Sequence, residues 1–464
     1  MTFNLSLSEF ITDLDAKLTG HDIAVSGISI DTRTLKSGNL FVAIHGDRFN
    51  GHEFVKAAEK AGAAALLVHE EVSSSLPVLM VKNTQTALGQ LARHWARRFK
   101  IPTIAITGSN GKTTVKEIVA SILRQQGPVL ATEGNLNNEI GVPLTLLRMR
   151  ENHMYAVIEM GANHAGEIAR LAAIAEPDVA LVNNIGSAHL EGFGSIEGIA
   201  QAKSEIYSGL ANGGYAVINA DDTFADHMRK AASHCQVREF GFTSDVDVQG
   251  VPGAKPEIRI METTLMPKLS LPGEHNFKNS LAAVAAVQCL DIPFSDIVRG
   301  LEQVVAVPGR LERKPGLDGS VVIDDTYNAN PDSLQSAMKV LARCPGTRYL
   351  VLGDMAELGD EAKALHHAMG RDARVSGIDG LWTVGALASH AFNAFMSHSD
   401  EDAKPAGSHC SDKAELIKEL QSLTSHNITL LIKGSRSARM EDVVNALLAE
   451  PSPTRSLSKA GQVS

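Results

Sequence analysis

The sequence predicts an α/β protein whose domains are built on mostly parallel sheets. Short apolar runs rich in β-branched residues alternate with amphipathic segments along most of the chain, as in strands connected by helices. Aromatic residues make up only 5% of the chain while glycine and alanine are plentiful, a composition that favours helices packed on parallel sheets over a β-sandwich. The length of 464 residues indicates about three domains at roughly 150 residues each.

The N-terminal region, residues 1–83, is predicted to form a small α/β domain. Three of its segments are apolar enough for buried strands, and a fourth has the periodicity of an amphipathic helix. The strands are predicted at NLFVAIHG, AALLVHE and PVLMVKN, and the helix at FVKAAEKAGA.

Residues 84–312 are predicted to form a central domain with a doubly wound, mostly parallel sheet. The helical segment ALGQLARHWARRF leads into the strand IPTIAIT, which a glycine turn joins to the amphipathic helix TVKEIVASILRQQG. Further buried strands are predicted at YAVIEMG, VALVNNIG and YAVINA. Over residues 245–272 the pattern becomes proline-rich and alternating, which predicts a β excursion before the helix KNSLAAVAAVQCL.

The remainder of the chain is predicted to form a third, Rossmann-like α/β domain over residues 313–450. The segment VVAVPGRLERKPGL is interpreted as the linker that precedes it. Its strands are predicted at SVVIDDTY, YLVLGDM, GLWTVG and ITLLIKG, with helices between them. Residues 451–464 have little to bury and are predicted to be a disordered tail.

Charge and cysteine content exclude several classes of protein. Acidic residues outnumber basic ones by 53 to 43, a net charge of -10, which argues against a general nucleic-acid or anionic-membrane partner. The N-terminus has no signal-peptide pattern and no apolar run approaches the roughly 18 residues needed to span a bilayer. We therefore expect a cytoplasmic protein without a transmembrane segment. We also expect it to act as a monomer. The four cysteines are far apart and predict neither a disulfide framework nor a zinc site.

The strongest local signal is a glycine-containing loop between an apolar strand and an amphipathic helix. Such a loop lets backbone N–H groups and a helix N-terminus face a phosphate chain, with Lys112 supplying charge and Thr113 a hydroxyl for Mg²⁺. The strict pattern G-x-x-x-x-G-K-[ST] would need glycine where the chain has Ile106. The residues expected to bind ATP in this loop are Thr107, Gly108, Ser109, Asn110, Gly111, Lys112, Thr113 and Thr114.

Two further residues follow strands at the edge where an open α/β sheet binds its ligands. Glu159 ends the strand YAVIE and is a candidate metal ligand, the alternative being a glutamate in solvent. His189 follows the next strand, and because histidine is an unusual Mg²⁺ ligand, spacing alone favours a hydrogen-bonding role in the loop.

Other candidates are ambiguous when taken one at a time. Lys203 lies in a helical segment, where spacing alone favours a solvated surface lysine. Asn276 and Asn279 share a helical face and could present amide groups to a base, or could be caps. Arg310 lies in the linker, where it could place a bidentate cation on a phosphate or remain solvated.

Together these segments resemble the Mur ligase family, the ATP-dependent amino-acid and peptide ligases of bacterial cell-wall precursor synthesis. The shortened loop TGSNGKTT is that family's own form, and the similarity extends from SIDTRTLKSGNLFVAIHGDRFNGHEF through HNxxN and PGRLE into the third domain. The resemblance covers nearly the whole chain. It implies a UDP-sugar-binding N-terminal domain, a central ATP-binding domain, ATP and Mg²⁺ as cofactors, and a role in peptidoglycan synthesis, cell shape and cell division.

The resemblance also implies roles for individual residues. Lys112, His189, Lys203 and Arg310 match catalytic positions. Thr113, Glu159, His189 and Lys203 match metal ligands, with the lysine carried as a carbamate. Asn276 and Asn279 match adenine-side positions, Arg310 the hinge arginine that reaches ATP, and Asp325 and Asn328 positions near the nucleotide. Candidates for holding the UDP-sugar substrate are Thr32, Arg33, Arg48, Asn50 and Asn138.

Motifs of the third domain indicate the substrates. The runs DDTYNANPDS and GDMAELG resemble the last ligase of the pathway, which implies that D-alanyl-D-alanine is joined to UDP-N-acetylmuramoyl-tripeptide through an acyl phosphate. The D-N-P-[RK] motif of the preceding ligase is missing. The alternatives are a tripeptide-forming Mur ligase, a ligase similar to folylpolyglutamate synthase, and, from a different class, a nucleotide-dependent switch protein.

Overall fold

The computed structural model describes residues 3–46, 49–187, 190–243, 245–397 and 406–449. The chain divides into two compact units, Met1–Val305 and Ala306–Ser464. Both units consist of helices packed on mostly parallel sheets, which confirms the predicted α/β class. Within the described residues, no helix is both long enough and apolar enough to cross a membrane.

The N-terminal part of the first unit is built on a five-stranded sheet in the order β2-β9-β8-β5-β4. All of its strand pairs are parallel except β2 with β9. The elements in chain order are β1 Leu5–Ser6, α1 Ser8–Leu14, β2 Lys17–Thr19, β3 Ala24–Val25, β4 Gly27–Ser29, β5 Asn39–Val42, β6 His45–Gly46, β7 Phe49–Asn50, α2 Val55–Lys60, β8 Ala65–Val68, β9 Val78–Met80 and α3 Thr84–Ala96.

The larger part of the first unit is a nine-stranded sheet in the order β11-β12-β10-β13-β14-β15-β16-β17-β18. Its elements are β10 Thr103–Thr107, α4 Lys112–Leu123, β11 Val129–Ala131, α5 Gly141–Leu146, β12 Tyr155–Glu159, α6 Glu167–Ala175, β13 Val179–Val182, α7 Leu190–Phe193, α8 Ile196–Ser204, β14 Tyr215–Asn219, α9 Ala225–Ala231, β15 Gln236–Gly241, β16 Val248–Val251, β17 Glu257–Ile260, β18 Thr263–Leu265, α10 Glu274–Gln288 and α11 Phe294–Gln303. The strands are parallel as far as β16, and β17 and β18 are antiparallel, which is the β excursion that the proline-rich segment predicts.

Both faces of this sheet are covered, which explains the uninterrupted apolar runs in its strands. Along β10, Ile104 and Ile106 pack into the cluster formed with α4, α10 and α11, while Ala105 faces the cluster that contains α3 and α6. Because β12, β10 and β13 are parallel neighbours, their carboxyl ends meet at one edge of the sheet.

The second unit contains a six-stranded sheet in the order β19-β20-β24-β21-β22-β23, parallel except for β19 with β20. Its elements are β19 Glu312–Pro315, β20 Val321–Asp325, α12 Pro331–Ala342, β21 Thr347–Gly353, α13 Ala362–Val375, β22 Gly380–Val384, α14 Ala388–Ser397, β23 Ala406–Cys410, α15 Lys413–Leu423, β24 Ile428–Lys433 and α16 Glu441–Leu447. The interpretation of residues 304–317 as a plain linker is wrong at β19, because this strand, which contains three charged residues and a proline, pairs with β20.

Candidate functional site

The glycine-containing loop connects β10 to α4 and depends on two glycines with positive φ. Gly108 has φ +147°, and Gly111 has φ +79° and caps the N-terminus of α4. A Cβ at Gly111 would lie 2.6 Å from the side-chain amides of both Asn183 and Asn279. Glycine is therefore required at position 111 by conformation and by space.

The loop is held in place by the segment that follows β13. Asn184 accepts the Asn110 backbone N–H at 2.8 Å through its side chain, and Asn183 Nδ2 donates to the Asn110 carbonyl at 2.9 Å. Ser109 Oγ donates to the Gly186 carbonyl at 3.0 Å. Neither asparagine was predicted as a site residue, although their place at the end of the strand beside β10 was a usable signal.

The lysine of the loop is turned back over it. Lys112 Nζ donates to the carbonyl oxygens of Gly108 at 2.7 Å and Ser109 at 3.3 Å. Thr113 and Thr114 are buried in the first turn of α4. The loop thus combines a helix N-terminus with a cation beside it, an arrangement that suits a phosphate chain.

Glu159 ends β12 next to the loop, in register with Ile106 of β10. It is only 2% exposed, so the interpretation of a glutamate in solvent is wrong. Asn137 Nδ2 donates to its Oε1 at 2.8 Å, while Oε2 is buried with no hydrogen-bond partner among the described residues. A buried carboxylate oxygen without a donor fits a cation, and oxygen is the ligand that Mg²⁺ prefers.

Lys203 of α8 is 1% exposed, so the interpretation of a solvated surface lysine is wrong. Its Nζ has no hydrogen-bond partner in the described part of the chain and lies 5.7 Å from the centre of the Phe193 ring. Burial, together with the charge of Lys112, holds the pKa of Lys203 well below its usual value. Helical spacing in α8 could not reveal this burial, because the helix has only nine residues. His189 lies outside the described residues.

The Glu159 carboxylate and the Lys203 amine both fit the metal site that the resemblance implies. Burial favours the neutral amine of Lys203, which is the form that adds to CO₂ to give a carbamate, and the carbamate would supply an anionic oxygen ligand. Glu159 Oε2 would gain a cation as its partner. Each change would satisfy a buried polar group that is unsatisfied without it.

Asn276 and Asn279 lie in the first turns of α10, close behind the loop. Neither is the cap of this helix, because Gly273 occupies that position. Asn279 Oδ1 accepts from Asn183 Nδ2 at 2.9 Å, and Asn276 Nδ2 donates to the Pro272 carbonyl at 2.7 Å. Asn183 therefore connects the phosphate loop to Asn279, whose Nδ2 donates in turn to Asn276 Oδ1 at 3.3 Å.

The residues predicted to hold the UDP-sugar make local contacts. Arg33 is 87% exposed and pairs with Asp31 at 2.6 Å, which lowers the pKa of that carboxyl to about 2. Asn50 Oδ1 accepts the His52 backbone N–H at 3.0 Å, and Asn138 Oδ1 accepts the Gly141 N–H at 2.9 Å at the start of α5. Thr32 is half-buried in the turn before Arg33, and Arg48 lies outside the described residues.

The second unit holds the remaining candidates. The Arg310 guanidinium stacks on the Tyr327 ring with 4.2 Å to the ring centre. Lys433 Nζ donates to Asp325 Oδ2 at 2.6 Å and to the Asn328 carbonyl at 2.9 Å. Burial raises the pKa of Asp325, and the Lys433 charge opposes this shift.

Comparisons with known proteins agree along the chain. The family descriptions that match are Mur ligase family, catalytic domain, over residues 24–96; Mur ligase middle domain, over residues 106–287; and Mur ligase, glutamate ligase domain, over residues 309–436. The UDP-N-acetylmuramoyl-tripeptide--D-alanyl-D-alanine ligase of Escherichia coli K12 is 43% identical over 455 residues, covering 96% of this chain and 98% of that protein.

Two solved structures are similar over nearly the same length. A crystal structure of MurF from Acinetobacter baumannii is 35% identical with a TM-score of 0.89, covering 96% of this chain and 98% of that chain. MurF ligase from Thermotoga maritima in complex with ADP is 30% identical with a TM-score of 0.80, covering 90% of this chain and 96% of that chain.

Proposed function

The chain belongs to the Mur ligase family, and on this premise we propose that it joins D-alanyl-D-alanine to UDP-N-acetylmuramoyl-tripeptide with ATP. The product is the UDP-muramoyl-pentapeptide precursor of peptidoglycan. The observation that carries this substrate assignment is the full-length similarity to ligases of that name. A nucleotide-dependent switch would need the loop alone, and would leave the buried Glu159 and Lys203 without a reason.

The reaction must first activate a carboxylate, which is a poor electrophile because it is anionic and would have to expel oxide. A carboxylate oxygen of the tripeptide attacks the γ-phosphorus of ATP, the bond to the β-phosphate oxygen breaks, and ADP leaves. The resulting acyl phosphate is attacked by the free amine of D-alanyl-D-alanine. The tetrahedral intermediate loses phosphate and a proton to give the amide.

Catalysis of phosphoryl transfer consists mainly of positioning and of charge stabilisation. The loop N–H groups at the start of α4 would hold the phosphate chain. Gly111 allows the side chains of Asn183 and Asn279 to lie close to the loop. Lys112 Nζ, which donates to loop carbonyls, would turn to the phosphate oxygens and stabilise the charge that moves toward ADP. Asn276 and Asn279 would orient the base from α10.

The residues that would hold Mg²⁺ are Thr113, Glu159, His189 and Lys203 as a carbamate. When bound, the ion supplies positive charge to the transferring phosphoryl group. Asn137 fixes the orientation of the Glu159 carboxylate by donating to its other oxygen. The roles of Arg310, Asp325 and Asn328 toward the nucleotide, and of Thr32, Arg33, Arg48, Asn50 and Asn138 toward the UDP-sugar, stay predictions of the family resemblance.

The test is ADP release by the purified full chain with UDP-muramoyl-tripeptide, with and without D-alanyl-D-alanine. We expect ADP only when both substrates are present, with Lys112→Ala as the inactive control and the exposed Lys230→Ala as the active one. ATP turnover that neither substrate changes would contradict the proposal. Turnover with UDP-muramoyl-dipeptide and a diamino acid, or with a folate and glutamate, would instead favour one of the two other ligase reactions.

A further inference from the structure

A second cluster of ionisable side chains lies in the N-terminal part of the first unit. His45 belongs to β6, and His69 and Glu70 directly follow β8. One ligand atom from each of the three lies within 4.8 Å of the others. We propose that His45, His69 and Glu70 form a binding site for a divalent transition-metal ion, with Zn²⁺ as its probe. This proposal does not depend on the ligase activity.

His69 is oriented for such a role by its other ring nitrogen. Its Nδ1 lies 3.4 Å from Thr84 Oγ1, whose own hydroxyl donates to the Ala43 carbonyl at 2.9 Å. The hydroxyl oxygen is therefore available to accept a proton from His69 Nδ1–H. This arrangement leaves the lone pair on Nε2, as in histidines that bind metals while their second nitrogen donates to a neighbour.

The neighbouring His52 supports the cluster without being a ligand. Its Nε2 accepts the His69 backbone N–H at 3.1 Å, and its Nδ1 lies 2.8 Å from Asn50 Oδ1, so both ring nitrogens are engaged. Its ring packs edge-on against that of His69 with 4.3 Å between centres. His52 thus fixes the backbone and the ring of His69.

The spacing matches tetrahedral coordination. His69 Nε2 lies 3.4 Å from Glu70 Oε1. Two ligand atoms about 2.0–2.1 Å from a tetrahedral zinc ion are about 3.3–3.4 Å apart. His45 is exposed, so its side chain can rotate to close the third bond. Two imidazoles and one carboxylate favour Zn²⁺, Co²⁺ or Ni²⁺ over the hard cation Mg²⁺ and leave a fourth position open.

A bound ion would join β6 to the end of β8. The hairpin of β6 and β7 is held by its own two-residue pairing, while β8 is an interior strand of the five-stranded sheet. Coordination would therefore tether a short peripheral hairpin to the core of this region, and should raise its resistance to unfolding when the metal is present.

The test is competition for Zn²⁺ between the full chain, without an affinity tag, and a chromophoric chelator. Saturating ADP and Mg²⁺ are present so that the phosphate-loop edge is occupied. We expect one Zn²⁺ per chain in the wild type and at least about tenfold weaker binding in His45→Ala and Glu70→Gln, whose side chains are exposed and not needed for folding. His21→Ala, another exposed histidine, should bind as the wild type does.

Co²⁺ provides a second measurement, because its visible absorption reports coordination directly and does not arise from a change in protein stability. The visible absorption of tetrahedral Co²⁺ should appear with the wild type and His21→Ala, and be lost in His45→Ala. Equal Zn²⁺ binding by the wild type and both ligand variants would place the ion elsewhere and overturn the proposal. Absence of saturable binding in the wild type would do the same.

Discussion

Two buried lysines, one in each unit, differ in how their charge is compensated. Lys203 in the first unit is 1% exposed and its Nζ has no hydrogen-bond partner in the described part of the chain. Lys433 in the second unit is 2% exposed, and its Nζ bonds to the Asp325 carboxylate at 2.6 Å and to the Asn328 carbonyl at 2.9 Å. No hydrogen bond compensates the burial of Lys203, while Lys433 has a carboxylate and a carbonyl oxygen as partners.

This difference separates a functional group from a structural one. A buried ion with good partners holds a fold together and is costly to disrupt. A buried ionisable group without partners lowers the stability of the fold, so it persists where a ligand or a chemical step uses it. By this criterion we expect the phosphate-loop edge of the first unit to carry the reaction chemistry, and we expect the Asp325–Lys433 pair to stabilise the second unit.

The largest effect is expected for Lys203→Ala. Loss of the carbamate position should lower the rate of ADP release about 10³-fold, equivalent to about 4 kcal/mol of transition-state stabilisation. Short carboxylates added to the assay should restore part of the rate, since they can supply the missing anionic ligand. Lys230→Ala, on the surface of α9, serves as the matched control. Full activity of Lys203→Ala without rescue would remove the lysine from the site.

In the second unit, Lys433→Met should act on stability instead. It leaves the buried Asp325 carboxylate without its cation, and breaking such a pair costs about 3 kcal/mol. Urea unfolding of the full chain should show the loss. The double variant Lys433→Met with Asp325→Leu should recover much of it, because no charge is then left buried. An unchanged unfolding midpoint for the single variant would mean that the pair contributes nothing.

Asn183→Ala tests whether the two sides of the nucleotide site depend on one side chain. It removes the amide that bonds to the Asn110 carbonyl and to Asn279. Leaving such groups without their hydrogen bonds lowers the stability of the folded site by about 1–3 kcal/mol. We expect the KM for ATP to rise about tenfold, with a smaller change in the KM for D-alanyl-D-alanine. Asn393→Ala, exposed on α14, is the control. Equal changes in both KM values would indicate a general loss of structure.

The smallest effect concerns His366, which the second unit buries completely. Its Nε2 accepts the Met355 N–H at 3.0 Å and its Nδ1 lies 2.7 Å from the Ala362 carbonyl. Burial lowers the pKa of His366 below 6.5, so its ring takes up a proton more readily in the unfolded chain than in the folded one. The contribution of His366 to the free energy of unfolding should therefore be constant above pH 6.5 and fall as the pH drops below it. His366→Gln should reduce that slope in urea titrations at several pH values, and an identical slope would contradict this role.

Some of the site could be predicted from the sequence because its signal is local. The loop around Lys112 and the strand end at Glu159 follow from apolar runs, a glycine turn and the rule that parallel strands end at one edge. Lys203 gave no such signal, because its burial depends on what α8 packs against. Asn183 does follow a strand that ends at this edge, but its partners Asn110 and Asn279 are distant in sequence, so its hydrogen bonds could not be predicted.

In the fold, too, the features with a local sequence signal were predictable, and those that depend on distant partners were not. The apolar strands of the three mostly parallel sheets were predictable from the sequence, since burial on both faces demands apolar side chains. Strand β19 was not, because three of its four residues are charged and its pairing depends on the neighbouring strand β20. Strand β23, with the sequence AGSHC, also lacks an apolar run and lies at the opposite edge of that sheet. Edge strands are thus where the sequence pattern is weakest.

The unfolding midpoint of Lys203→Met, measured beside Lys433→Met in buffer without Mg²⁺ or bicarbonate, distinguishes the two lysines most directly. Methionine fills a similar volume without an uncompensated amine. We predict a midpoint equal to or above that of the wild type for Lys203→Met, together with loss of ligase activity. A fall as large as that of Lys433→Met would contradict the conclusion that Lys203 is kept for function at the expense of stability.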